Sequence, residues 1–296
     1  MTKEFRIRFS SERFVSIILG QVLRTFHKPS ATILVYHDVT SGKRKSQIQN
    51  DSVILENFER QMKYLRDNSF NPIPLQKLIG LINTRKKIPK KSIIITFDDG
   101  YKSTYKNAYP ILQKYNIPAT VFVAVGFIGQ KKSFPWLEAE SNNFGLHESM
   151  PMNEEEIIEL YERGIEIGSH TMYHNLLPKL DREGIEEEIL GSQYILEKIL
   201  GLAPVSFALP YSFPVKYRKW PSFEIVLKKV LVRGNFNACC TMTRGHVTRK
   251  SNPFFLRRIA VEKYDDLLFF RAKLLGGYAW SRLPQKIFQA FFKRYY

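Results

Sequence analysis

Two adjacent carboxylates, Asp98 and Asp99, stand directly after an apolar run that ends in Thr-Phe. Neighbouring side chains of an extended segment point to opposite sides, so one carboxylate can bind a metal ion while the other stays free as a base. Gly100 permits a tight turn at this point. The alternative is an ordinary Asp-Asp-Gly turn with solvated carboxylates. The pair alone therefore leaves a catalytic and a structural role open.

His170 and His174 form a second candidate site, because residues four apart lie on the same side of a helical turn. We expect such a turn after the short strand 166–169, so that both imidazoles reach one metal ion. The alternative is one capping and one surface histidine. With one aspartate, the pair gives three ligands and open coordination positions, which is typical of hydrolytic zinc and non-haem iron. A second, unliganded aspartate would place a base beside the metal.

Strand and helix patterns alternate between these motifs. Helices are expected at 55–68, at 153–163, which opens with a capping-box pattern, and at 181–200. Short apolar runs predict seven strands, at 33–37, 92–97, 119–125, 166–169, 206–209, 237–241 and 258–261. The alternation predicts an α/β fold with about seven parallel strands, which suits one barrel-like domain over residues 31–265. Both motifs lie at the carboxyl ends of strands, where such folds carry their active sites.

The amino-acid composition limits the classes of protein to which the chain can belong. The 296 residues are 25% charged and 44% hydrophobic, which is ordinary for a globular protein, and no run approaches the ~18 apolar residues of a spanning helix. Cys239 and Cys240 are adjacent, so a disulfide framework and a cysteine-based zinc pattern are both absent, and any metal must be held by histidine and carboxylate. The formal net charge of +17 indicates anionic partners. Because the basic residues are spread along the chain without a recognition motif, we expect no nucleic-acid binding.

The two ends of the chain differ from its middle. Residues 1–30 join basic residues to a short apolar stretch at 14–19, so we expect an amphipathic extension, with a cleaved signal peptide as the alternative. Residues 266–296 interleave lysine and arginine with aromatic residues and contain no acidic residue after Asp266. Such a tail either lies on an anionic membrane surface or packs its aromatic residues on the barrel. Without a convincing signal peptide, we expect the protein in the cytoplasm or on the cytoplasmic membrane, and export stays open.

The ordered motifs resemble those of the polysaccharide deacetylases with a NodB homology domain, carbohydrate esterase family 4. Residues 96–100 (TFDDG) are similar to that family's first motif, residues 170–174 (HTMYH) to its second, and residues 207–211 (FALPY) to its third. The resemblance covers roughly residues 31–265. It implies a distorted (β/α) barrel that removes N- or O-acetyl groups from glycans.

The resemblance also implies roles for single residues. Asp98 would be the general base, and Tyr211 would give its backbone N–H to the oxyanion. The ligands of a divalent metal ion would be Asp99, His170 and His174. We expect Zn²⁺ as this ion, with Co²⁺, Ni²⁺ and Fe²⁺ as alternatives.

The chain departs from the family pattern in two places. Ala208 stands where many members carry an arginine that orients the base, and the late histidine motif that supplies a general acid is not recognisable around His246. His37, at the end of the first strand, is our candidate acid, and Arg258 is our candidate replacement for the arginine. The alternatives are a buried histidine bonded to the backbone and an arginine in a barrel-closing ion pair. The Tyr-His-Asp run at 36–38 is similar to the branch that acts on poly-N-acetylglucosamine and related exopolysaccharides.

Two hypotheses of function follow from these residues. The first is a metal-dependent hydrolase that removes acetyl groups, chiefly N-acetyl groups, from a polysaccharide or a lipid-linked glycan. The second is a catalytically impaired barrel that binds glycan or a membrane-bound partner in polysaccharide synthesis. The departures favour the second, whereas the complete Asp-Asp and His-x-x-x-His motifs favour the first.

Overall fold

The computed structural model describes residues 3–23, 30–41, 51–140, 149–211 and 223–281. Part of the expected C-terminal tail, residues 282–296, lies outside the described residues.

Seven buried strands form the centre of the molecule. The strands of the described chain are β1 Ala31–Tyr36, β2 Val39–Thr40, β3 Val53–Ile54, β4 Asn71–Pro72, β5 Ser92–Phe97, β6 Ala119–Val123, β7 Glu166–Ser169, β8 Ser206–Ala208, β9 Ala238–Arg244 and β10 Leu256–Ala260. Strands β1, β10, β9, β8, β7, β6 and β5 follow one another in parallel, and β5 pairs again with β1 to close the ring. β4 pairs with the first residues of β5, ahead of the part of β5 that pairs with β6, and β2 pairs with β3. The expected distorted (β/α) barrel with about seven parallel strands is therefore confirmed.

The register of the strands brings their carboxyl ends to one mouth of the barrel. Tyr36 at the end of β1 is level with Phe97 at the end of β5, and the N–H of Asp98 donates to the Tyr36 carbonyl over 2.9 Å. In the pair formed by β6 and β7, Val123 at the end of β6 is level with Ser169 at the end of β7. The residues that follow these four strand ends therefore emerge side by side.

Helices surround the barrel. The described chain contains α1 Lys3–Leu23, α2 Leu55–Asp67, α3 Leu75–Asn83, α4 Tyr109–Tyr115, α5 Glu154–Glu162, α6 Arg182–Glu186, α7 Ser192–Leu200, α8 Phe223–Arg233 and α9 Leu267–Leu274. The expected capping box is present at α5, where Asn153 and Glu156 each bond the backbone of the other. The helix expected at 181–200 begins at its Asp181 cap and ends at Gly201, with a π-helical segment, Glu187–Gly191, between α6 and α7.

The first and last described helices pack closely against each other. A Cβ atom on Gly277 would lie 2.1 Å from the carbonyl oxygen of Ser16, so only glycine allows this approach. A Cβ atom on Gly20 would lie 3.1 Å from the α-carbon of Ala272, and the Trp280 indole donates to the Ser16 hydroxyl over 3.0 Å. The helix expected within residues 1–30 is thus present as α1 and lies on the C-terminal segment.

Helix α9 belongs to the folded body. Phe269 and Phe270 are buried, and the fully buried Lys273 ammonium lies 2.5 Å from the Asp265 carboxylate. For residues 267–281 the structure thus favours packing of the aromatic residues over a free tail. The division of the chain at residues 30 and 265 stays a prediction. Among the described residues, no helix has the length and apolar character that crossing a bilayer requires.

Candidate metal centre

One carboxylate and two imidazoles meet at the mouth of the barrel. Oδ1 of Asp99 lies 3.4 Å from Nε2 of His170 and 3.4 Å from Nε2 of His174. Each residue offers a potential ligand atom within 4.8 Å of those of the other two. The three residues that the sequence singled out as ligands are therefore close enough to share one ion.

A backbone carbonyl orients the His170 ring for metal binding. Its Nδ1 lies 2.8 Å from the carbonyl oxygen of Ala208. Since a carbonyl only accepts, Nδ1 carries the proton and Nε2 keeps the lone pair that a metal needs. Ala208 therefore contributes through its backbone, although its side chain lacks the expected guanidinium.

The geometry of the two histidines differs from the helical turn expected for them. Residues 170–176 form an irregular loop, and Thr171 and His174 have φ angles of 69° and 57°. The expectation of a helical turn was wrong, because the loop is shaped by contacts from elsewhere. The buried carboxylate of Glu188 accepts the N–H groups of Met172 and Tyr173, both over 3.0 Å.

The donor set fits a divalent ion. Oδ1 of Asp99 and Nδ1 of His174 are buried and have no hydrogen-bond partner among the described residues, which is costly for polar atoms unless a ligand satisfies the site. Burial lowers the pKa of His174 to about 4 against the opposing effect of Asp99, so the ring is neutral. A neutral imidazole is the form that binds a metal. Two nitrogens and one carboxylate oxygen are also the ligand set of catalytic zinc sites.

Asp98 has a different partner from its neighbour. Its two oxygens each lie 2.6 Å from the guanidinium of Arg258, in a buried bidentate ion pair. Burial raises the pKa of Asp98, but the charges of Arg258 and the nearby histidines outweigh burial and hold the pKa below its usual value. Oδ2 of Asp98 also lies 3.9 Å from Nε2 of His170. The ionised carboxylate is thus held beside the three candidate ligands, and its role as the base stays a prediction.

Arg258, our candidate replacement for the missing arginine, lies on β10, and its role towards the base stays a prediction. It extends across the barrel interior from β10, with Nη1 3.3 Å from the Thr96 hydroxyl as well. The ion pair between Arg258 and Asp98 also joins β10 to the end of β5 across the ring. It is therefore at the same time the barrel-closing ion pair that was the alternative for Arg258.

His37 lies at the same mouth, directly after β1. Its Nδ1 is buried and has no hydrogen-bond partner within the described chain, which does not fit a histidine satisfied by backbone. Burial lowers the pKa of His37, but the carboxylates of Asp51, Asp99 and Asp98 outweigh it and raise the pKa above the usual value. His246 lies instead at the other end of β1, 2.8 Å from the Thr32 hydroxyl. Of these two histidines, His37 is the one at the mouth of the barrel, and its role as the acid stays a prediction.

Aromatic rings surround His174. The Trp136 ring lies 4.7 Å from it on one side and the half-exposed Tyr211 ring 4.6 Å on the other. Tyr211 has a φ of 62°, and residues 212–222 after it lie outside the described residues. The use of its backbone N–H for an oxyanion stays a prediction.

Two positioning residues were missed by sequence reasoning. Asp38 is buried and accepts hydrogen bonds from Ser103 over 2.6 Å and from Ser149 over 2.8 Å, which ties two loops to the residue after His37. In the sequence, the feature that could have drawn attention to Asp38 is its position in the Tyr-His-Asp run at 36–38. Glu188 stands in a run of three glutamates on a helical segment, and nothing local distinguishes it from its neighbours.

Comparison with known proteins finds similarity to proteins named as polysaccharide deacetylases. Residues 85–219 match the family described as polysaccharide deacetylase. The chain is 29% identical over 272 residues to the poly-β-1,6-N-acetyl-D-glucosamine N-deacetylase of Staphylococcus aureus, covering 86% of this chain and 85% of that protein. It is also 29% identical over 177 residues to the Bacillus subtilis protein YxkH, covering 60% of this chain and 55% of that relative, so it matches only about half of YxkH.

Solved structures share the fold. IcaB from Ammonifex degensii superposes with a TM-score of 0.65 at 23% identity, over 86% of this chain and 98% of that one. The Streptococcus pyogenes deacetylase PplD, solved in complex with acetate, superposes with a TM-score of 0.63 at 20% identity, over 81% of this chain and 96% of that one. At this identity the likeness concerns the fold alone.

Proposed function

Since the chain carries a polysaccharide deacetylase domain, we propose that it is a hydrolase that removes N-acetyl groups from a polysaccharide. The observation that carries this proposal is the division of labour between Asp98 and Asp99: the first is held by Arg258, and the second faces His170 and His174. A base and a metal site side by side are what hydrolysis of an amide by activated water requires.

Asp99, His170 and His174 are the residues that would hold the divalent ion, for which we propose Zn²⁺. When bound, such an ion supplies Lewis acidity, polarising a carbonyl group and lowering the pKa of water from 15.7 towards ~7 in the best zinc case. Dependence of the deacetylase on a divalent metal ion, whichever ion it is, is supported by the family match and by the Asp-His-His cluster.

The protein groups have separate tasks in the reaction. Asp98 takes the proton of the attacking water, and Arg258 keeps the carboxylate ionised and correctly oriented while it does so. The backbone N–H of Tyr211 stabilises the negative charge that develops on the acetamide oxygen; losing one donor of this kind costs ~3 kcal/mol. His37 gives a proton to the departing sugar amine, and its raised pKa favours the protonated form needed for this step. The products are acetate and a free amine.

We propose a β-linked N-acetylglucosamine polymer as the substrate class, supported by the named activity of the Staphylococcus aureus relative. A catalytically impaired barrel is the less favoured reading, because Arg258 supplies the guanidinium whose absence at position 208 had suggested loss of activity.

Membrane association of the C-terminal tail stays a prediction, and fewer residues of the tail are free to take part in it. The aromatic residues Phe269, Phe270 and Tyr278 are buried, so they are not free for membrane contact, whereas Leu267 and Leu268 of the same segment are exposed. We also propose a location in the cytoplasm or on the cytoplasmic membrane, which cell fractionation would test.

The test of the function is acetate release from a panel of acetylated oligosaccharides by chelated protein to which Zn²⁺, Co²⁺, Ni²⁺ or Fe²⁺ is returned. We expect turnover to depend on the returned ion. Asp98→Asn should keep the metal and lose about 10²-fold or more of the rate, since general base catalysis contributes roughly that much. His174→Ala should lose both metal and turnover. Metal content is measured by elemental analysis, and undiminished acetate release by Asp98→Asn would contradict the assignment of the base.

A further inference from the structure

Tyr173 is an exposed aromatic residue in the loop that carries the metal ligands. It is 57% exposed although it directly precedes the largely buried His174. Its backbone is nevertheless fixed, because its N–H donates to the buried Glu188 carboxylate over 3.0 Å. The other oxygen of Glu188 accepts from the Asn175 amide over 2.6 Å, which holds the residue after His174.

The ring of Tyr173 rests on bare backbone. A Cβ atom on Gly126 would lie 2.4 Å and 2.5 Å from two atoms of the ring, so no other residue fits beneath it. The Gly126 N–H donates to the carbonyl of Met172 over 2.8 Å, which joins the two segments at this point. The edge of the ring also faces Phe127, with centroids 6.3 Å apart and planes at 85°. The ring is therefore held in place, and more than half of the residue still faces solvent.

A series of aromatic contacts leads from Tyr173 to the candidate metal centre. The Phe127 ring lies 5.5 Å from Trp136, and Trp136 lies 4.7 Å from His174. Trp136 itself is engaged: it stacks on Phe134 at 4.7 Å, and its indole N–H donates to the Tyr101 hydroxyl over 2.9 Å. Trp136 thus serves as a packed wall of the site, and Tyr173 is an aromatic residue on the Trp136 side of His174 that remains exposed.

We propose that Tyr173 is a binding platform for a sugar unit next to the one that is deacetylated. The proposal rests on the proposed function, because it concerns a further contact to the same glycan. The C–H face of a β-linked hexosamine is apolar and matches the flat area of an aromatic ring, which gives large contact area at low entropic cost. Because Glu188 and Gly126 fix the ring before binding, little ordering has to accompany association. The site therefore selects for a chain of sugars over a single acetylated unit.

Kinetics on long and short substrates test the platform. We expect Tyr173→Ala to lower the ratio of kcat/KM for a β-1,6-linked N-acetylglucosamine pentamer to that for an acetylated monosaccharide about tenfold, equivalent to ~1.4 kcal/mol. Tyr173→Phe keeps the ring and should keep the ratio. Gly126→Ala, which must displace the ring, should lower it. Tyr194 on α7 is a matched control, because it is 58% exposed and contacts Lys198 instead of the site; Tyr194→Ala should leave the ratio unchanged.

A binding measurement separates this proposal from the proposed function. The affinity of the pentamer is measured calorimetrically for metal-loaded Asp98→Asn protein with and without Tyr173→Ala. A weakening of about tenfold supports the platform whether or not the wild-type protein releases acetate. If the Asp98→Asn protein binds the pentamer with the same affinity with and without Tyr173→Ala, or if neither protein binds it, the proposal for Tyr173 is overturned. Failure of the wild-type protein to release acetate from any glycan would refute the proposed function instead.

Discussion

Asp98 and Asp99 are chemically identical neighbours with opposite environments. Asp99 adopts a left-handed φ of 72°, which turns its carboxylate to the histidines, whereas the carboxylate of Asp98 turns into the barrel and meets Arg258. Burial disfavours the charge on both, and in both cases neighbouring cationic or imidazole groups outweigh burial and hold the pKa below its usual value. The site therefore keeps two ionised carboxylates in a dry environment by giving each its own compensating partner.

Removal of the guanidinium from Arg258 should destabilise the protein through Asp98. Arg258→Met leaves a buried carboxylate without its partner, and breaking a buried pair in this way costs about 3–5 kcal/mol of unfolding free energy. The double variant Asp98→Asn/Arg258→Met removes the charge as well and should recover part of that loss. Urea unfolding measures all three free energies.

Arg257 provides the matched control for this prediction. It is the preceding residue on β10, is only half-buried, and does not pair with Asp98 in the described chain. Arg257→Met should change the unfolding free energy much less than Arg258→Met. Equal losses from the two substitutions would mean that the pairing with Asp98 contributes nothing specific.

At the scale of elements, local patterns predicted the barrel and missed the loop that completes the site. The seven apolar runs all became strands, because each is buried in a parallel sheet whose strands read as continuous apolar segments. The helix at 55–68 and the capping box at Asn153 were also visible, since both depend on residues within one turn. The path of residues 170–176 was not visible in the sequence, because it depends on hydrogen bonds to Glu188, which lies in a different element. Asp98 and Arg258 lie 160 positions apart, and their pairing followed only from the expectation that the barrel needs a guanidinium near the base.

Glu188 should control metal affinity without touching the metal. Its carboxylate accepts three hydrogen bonds from the ligand loop, so Glu188→Ala leaves unpaired two backbone N–H groups before His174 and the Asn175 side-chain amide after it. Loss of outer support for ligands typically weakens metal binding 10–100-fold, and we expect a change of about tenfold here. Zn²⁺ titration against a competing chelator measures it.

Two further variants define the role of Glu188. Glu188→Gln keeps an acceptor oxygen and should retain part of the affinity. Glu187→Ala alters the exposed neighbour in the same helical segment and should leave Zn²⁺ binding unchanged. If Glu188→Ala bound Zn²⁺ as tightly as the parent protein, the loop would be held by the metal ligands themselves and not by this carboxylate.

At the scale of the whole molecule, the positive charge is concentrated at the two ends of the chain. Residues 1–30 contain six lysines and arginines against two glutamates, and residues 267–296 contain six against no acidic residue, so these segments hold +10 of the formal +17. Helices α1 and α9 pack together, which brings parts of both segments to one side of the barrel. This positive charge repels a deacetylated glycan, which is itself cationic. It is complementary to an anionic surface.

The charge of the C-terminal segment should therefore govern binding to anionic vesicles. Arg282, Lys286, Lys293 and Arg294 lie beyond the buried part of the tail, and each basic residue near such a surface contributes about 1 kcal/mol. Replacing all four by glutamine leaves α9 intact and should abolish sedimentation with phosphatidylserine vesicles at low salt, while acetate release from a soluble oligosaccharide persists. Neutral phosphatidylcholine vesicles serve as the control, and the wild-type binding should fall as salt screens the charges. Sedimentation of the four-fold variant at the wild-type level would show that the tail's charge does not hold the protein on a membrane, and would direct attention to the exposed apolar residues Phe14, Ile18 and Val22 of α1.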